Sequence, residues 1–125
     1  MPEPSADQLY LAAELRRALQ ACASAGETVT YRDLAARVEF PGPHAIHRLT
    51  TLLEVLVRDD HAAGRPLLAA LAVSRAQKGI PGRGFFQLLA ELGRYDGPDQ
   101  GPQAAGHHAR ELAAALEWWG KAAPS

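Results

Sequence analysis

One cysteine, one methionine and few aromatic residues are the first things to note in this chain of 125 residues. A lone Cys22 excludes an internal disulfide and any zinc site built from several thiolates. No stretch approaches the 18 or so uninterrupted apolar residues that a membrane span requires. The opening "MPEPSADQLY" has no basic segment followed by an apolar run, so no secretory signal is expected. Nor is there an excess of one charge: the formal net charge is −1, which argues against a polycation that coats nucleic acid. A cytoplasmic location and a bacterial coding bias rich in Ala, Arg and Gly are the expectations.

What is present is apolar but small. Hydrophobic residues make up 47% of the chain, yet much of that is alanine, so leucine must supply most of the buried area. The length suits one domain over residues 1–125. Ser5 and Gln8 form a capping box ahead of Leu11, Leu15, Leu19 and Cys22, which recur at helical spacing with Arg16 and Arg17 turned outward. Gly26 ends this helix. "ETVTY" is a short extended piece, and Thr30 with Asp33 caps a second helix, "YRDLAARV".

"EFPGP" must turn, because Pro41, Gly42 and Pro43 cannot continue a helix. Ile46, Leu49, Leu53, Leu56 and Val57 then mark a third helix ending near "RDDHAAG", where Asp59 and Asp60 read as a solvated helix end. Leu67, Ala69, Leu71 and Val73 alternate as a strand, and Ile80 is available for a short return strand. Phe85, Leu88, Leu89 and Leu92 begin a fourth helix that Gly93 stops. A Gly- and Pro-rich linker is expected over about residues 95–106. A last helix follows over about 107–120, with Leu112, Leu116 and Trp119 on one side.

The expected fold is therefore mainly α with a small β-hairpin. In outline it is a winged helix-turn-helix core over about residues 28–93, with additional N- and C-terminal helices. The third helix would be the recognition helix and "SRAQKGIPGRG" the wing.

Charge is unevenly distributed. From His61 to Ala90 there are four cations, Arg65, Arg75, Lys78 and Arg83, and no carboxylate, leaving −5 for the rest of the chain. Three of the four lie within nine residues, among glycines whose bare backbone can approach a phosphate. The same loop is equally readable as an ordinary surface loop with solvated cations. So small a patch neutralises few phosphates, so any binding to double-stranded DNA should be weak and salt-sensitive.

The runs "TVTYRDLAARVEFPGPHAIHRLTTLLEVL" and "PLLAALAVSR" resemble the C-terminal DNA-binding domain of the O6-alkylguanine-DNA alkyltransferases and their alkyltransferase-like relatives, over roughly residues 28–85. The resemblance implies that Tyr31 sits beside a flipped nucleotide and that Arg48 enters the duplex, with His47 competing for that place. Where the family carries Pro-Cys-His-Arg, this chain has "AVSR", residues 72–75, so the alkyl-accepting thiol and its histidine are missing.

Other chemistry finds little support in the sequence. Nothing makes the five histidines converge on a metal, and exposed or capping histidines are expected instead. Ser74 lacks a nucleophile elbow, "GIPGRG" lacks the Gly-Lys-Ser/Thr of a P-loop, and Cys22 reads as a core residue. No catalytic residue, metal or cofactor is therefore expected. Trp118 and Trp119 are adjacent on a helix and point about 100° apart, so one can seal the core while the other faces a homodimer or protein partner. The two functional expectations are a non-enzymatic DNA-binding module using Tyr31, Arg48, Arg75, Lys78 and Arg83, and an adaptor using the tryptophan helix.

Overall fold

The computed structural model describes residues 6–39, 44–77 and 79–122. Ser5, the turn residues Pro41, Gly42 and Pro43, and Lys78 lie outside them. Five α-helices are described: α1 (Ala6–Ala25), α2 (Tyr31–Arg37), α3 (Ala45–Ala62), α4 (Arg83–Glu91) and α5 (Pro102–Ala122). Between them lie β1 (Val29–Thr30), a 3₁₀ turn (Leu68–Leu71) and β2 (Ala72–Val73). The chain is mainly helical, as expected, and no described helix is long and apolar enough to cross a membrane.

The β-structure differs from the expected hairpin. β1 and β2 form a two-stranded parallel sheet, Val29 opposite Ala72 and Thr30 opposite Val73. The returning segment contributes one isolated antiparallel bridge between Ser74 and Ile80. The ladder stops there for two reasons. Pro81 has no N–H to donate, and the N–H of Gly82 is given to Tyr31 Oη at 2.8 Å.

The strand expected over 67–73 is also mostly 3₁₀. The run from Leu67 to Val73 is apolar throughout, with no polar face, and every residue of it is buried. Such a run carries no period that separates strand from helix. Here α1, α3 and α5 surround it, and it becomes the hub of the core.

Leu15, Leu19, Leu49, Leu56, Leu71 and Leu89 are fully buried, so leucine does supply the interior. Thr30 caps α2, its Oγ1 accepting the Asp33 N–H at 3.1 Å. α5 starts at Pro102, earlier than expected, because proline is acceptable at the first helical position and Gly106 does not break the helix. The preceding segment is not a loose tether. Tyr95 is buried against Phe86 and His107, and its hydroxyl donates to Pro98 O at 2.8 Å.

Three polar residues expected at the surface are built into the interior. Asp60 is fully buried at the end of α3, where it accepts from Arg16 Nη1 (2.9 Å) and the Leu68 N–H (3.2 Å) and forms an ion pair with Arg65 Nη2 (2.9 Å). Arg16 therefore turns inward and lies over the Trp119 ring, as Arg65 does. His108 is buried too, its Nε2 2.8 Å from Ala70 O. A carbonyl can only accept, so that nitrogen carries the proton. Burial lowers the pKa of His108, which favours the neutral ring.

Candidate nucleic-acid interface

The N-terminus of α2 sets the geometry of the expected site. The Thr30 cap starts the helix at Tyr31, whose side chain reaches the glycine loop and takes the Gly82 N–H. Gly82 lies close against the ring: a methyl group there would meet Tyr31 Cε2 at 3.5 Å. Burial raises the Tyr31 pKa and the Gly82 N–H opposes the rise, so the phenol stays protonated at neutral pH.

Tyr31 separates two hollows. On one side an apolar pocket of about 170 Å³ runs between α3 and α4, lined by Leu53, Val57, Phe85 and Leu88, with Thr50 and Glu54 as its polar residues. On the other is an open groove of about 410 Å³ between the start of α2, the first turn of α3 and the turn after β2. Arg32, Asp33, Ile46, Ser74 and Arg75 line this groove. Arg32 is not among the residues the sequence singles out, and Ile46, expected on the apolar stripe of the third helix, is exposed. The Thr30 cap was the available signal for Arg32, since it puts that side chain in an exposed first turn.

The expected site residues are only partly assembled. Tyr31 and Arg75 share the groove, and Arg83 follows the glycine that rests on Tyr31. Arg48 is exposed but lines a different hollow, with Gln8, Leu11, Thr51 and Leu52, between α3 and α1. It lies two residues from Ile46, which at about 100° per residue turns it to the far flank of α3. Lys78 is outside the described residues.

Five of the arginines are held by carboxylates. Arg16 and Arg65 pair with Asp60, Arg17 with Glu14, Arg58 with Glu91 and Arg94 with Glu111. Among the described residues, Arg32, Arg75 and Arg83 make no ion pair. Arg65, counted with the basic segment in the sequence, instead pairs with Asp60 and lines a different hollow. From His44 to Leu53 the third helix and its cap carry no carboxylate, and Ile46, His47, Arg48 and Thr51 are exposed along it.

The remaining candidates separate cleanly. Trp119 is built into the core: it is 4% exposed, and its Nε1–H donates to Pro66 O at 2.8 Å. Trp118 is 43% exposed, over a hollow lined by Pro66, Ala114, Glu117 and Lys121. Cys22 is buried, with Arg37 Nη1 3.2 Å from its sulfur. Burial raises the thiol pKa against the lowering effect of Arg37, so it stays protonated. No group of three or more metal-ligating side chains comes together among the described residues. No family model matches this chain, nor does any curated protein or solved structure.

Proposed function

We propose that this protein is a non-enzymatic DNA-binding module in which α2 and α3 act as a helix-turn-helix and the turn at 74–80 as a reduced wing. In this reading the start of α3 approaches a groove of the duplex, while Arg32, Arg75 and Arg83 contact phosphates on either side of Tyr31. The observation that carries it is that Arg32, Arg75 and Arg83, all exposed, make no ion pair among the described residues, and that the start of α3 is free of carboxylates. Exposed guanidinium groups that make no ion pair attract a polyanion through bulk solvent and release counterions on contact. The resemblance to the alkyltransferase DNA-binding domain supports a place for Tyr31 in this face, while Arg48, which it also implies, lines a different hollow.

Fluorescence anisotropy with a labelled duplex tests this. Arg32→Glu with Arg75→Glu should lower affinity more than tenfold, because each substitution replaces an attraction with a repulsion. Arg17→Gln, which alters an arginine already held by Glu14, should leave affinity unchanged. Parental binding by the doubly reversed variant ends the proposal.

Trp118 favours a second reading, an adaptor or homodimer contact through α5. A concentration-dependent sedimentation coefficient that Trp118→Ala abolishes would establish self-association by that route, and a parent that stays monomeric would remove it.

A further inference from the structure

A second cleft, of about 470 Å³, lies where the end of α3 and the segment after α4 meet α5. Gly64, Arg65, Arg94, His107, Arg110 and Glu111 line it. Two of its arginines are set by the same backbone device. Gly64 (φ +71°) donates to His61 O at 3.1 Å and lets the Arg65 N–H return to Asp60 O at 2.9 Å. Gly93 (φ +74°) donates to Ala90 O at 3.1 Å and lets the Arg94 N–H return to Leu89 O at 2.8 Å. Both are helix stops that need a left-handed residue, and each fixes the arginine that follows at a helix end.

The cleft is cationic. Four guanidinium groups (Arg16 behind, then Arg65, Arg94 and Arg110) meet two carboxylates, Asp60 and Glu111. Glu111 takes Arg94 Nη2 at 2.9 Å, and Arg94 Nη1 lies 3.2 Å from His61 Nδ1. Arg110 makes no ion pair among the described residues.

Hydrogen bonding here is also incomplete. Arg65 Nε, Arg94 Nε and His107 Nε2 are the buried side-chain nitrogens without a partner among the described residues, and all three belong to this cleft. Buried donors are nearly always satisfied. Two guanidinium nitrogens left unsatisfied in one place call for an acceptor that comes from outside.

We propose that this cleft binds a small phosphomonoester, its phosphate held by Arg65, Arg94 and Arg110. An excess of two positive charges matches a phosphate dianion, and guanidinium forks fit its oxygens in pairs. The volume falls in the range of small-ligand sites, leaving room for the body of the ester. Binding turns the Arg65 and Arg94 planes so that each Nε–H reaches a phosphate oxygen.

Proton–nitrogen correlation spectra of the arginine Nε–H groups test this. The protein is titrated with inorganic phosphate, ribose 5-phosphate, acetate and chloride at matched ionic strength. Saturable shifts of the Arg65 and Arg94 Nε–H signals are expected with phosphate, at lower concentration with ribose 5-phosphate, and not with acetate or chloride. Arg110→Gln should weaken binding about tenfold, the loss of one charge-assisted contact, without altering the Tm of the ligand-free protein. Arg75→Glu should leave it unchanged, which separates this cleft from the DNA face. Phosphate shifts no larger than those from chloride, acetate binding as well as phosphate, or parental binding by Arg110→Gln would each overturn the proposal. So would a duplex that displaces phosphate and loses affinity in Arg110→Gln, which would move the nucleic-acid contact here.

Discussion

Asp60 and Asp59 stand side by side in the sequence, yet one is exposed and the other has no contact with water. Nothing local separates them. Asp60 is buried because Arg16 arrives from α1, 44 residues earlier, and because the chain turns at Gly64 to bring Arg65 back. Asp60→Ala leaves two guanidinium groups facing a site built for an anion, and should cost about 3 kcal/mol of unfolding free energy. Asp60→Asn, which keeps an acceptor for the Leu68 N–H, should cost less; urea denaturation of both reads the difference. His108 gives a pH dependence. Its folded pKa lies below the ordinary 6.5, as does that of His107, chiefly through burial. The unfolded chain therefore binds these protons first as pH falls. Their stabilising effect is complete above pH 6.5 and is lost below it, down through the folded values. The urea midpoint should drop across that window, and His108→Gln should flatten the drop in part, because His107 still titrates.

At the scale of elements, the helix ends and caps follow local rules, while the contacts between helices do not. α5 crosses α1 closely at Gly120, where a Cβ would lie 3.2 Å from Ala23 O. That atom is backbone and cannot swing aside. Gly120→Val should push α5 off α1 and cost about 1–3 kcal/mol, measured as a lower denaturation midpoint. The Gly82 N–H, at the N-cap of α4, ties that helix to α2 by donating to Tyr31 Oη. Tyr31→Phe leaves that donor unsatisfied and should cost about 1 kcal/mol. Amide exchange at Gly82 should rise more than exchange in α1, since the loss is local. The resemblance pointed to Tyr31 as a residue beside a nucleotide; in the fold it is also the post on which the glycine loop rests.

For the whole molecule, the arrangement of charge matters more than its sum. A net charge of −1 hides arginines committed to Asp60, Glu14, Glu91 and Glu111, and others, Arg32, Arg75 and Arg83, that make no ion pair among the described residues. If Arg32, Arg75 and Arg83 are the phosphate contacts, log Kobs for duplex should fall with log salt at a slope on the order of −3. Reversing Arg32 and Arg75 together should remove most of that slope. A slope near zero in the parent protein would mean that these cations never meet phosphate.

Sequence periodicity by itself determined that the chain is mainly helical, that leucine fills the core and that Thr30 caps α2, because these depend on residues three or four apart. It also marked the basic glycine loop. Only the tertiary structure decided that residues 68–71 coil inside the core and that β2 pairs in parallel with β1. The same holds for the inward turn of Arg16 and the sealing of the core by Trp119. Each of these rests on a neighbour dozens of residues away. Burial of a charge or a ring is a property of what closes over it, and local spacing carries no record of that partner.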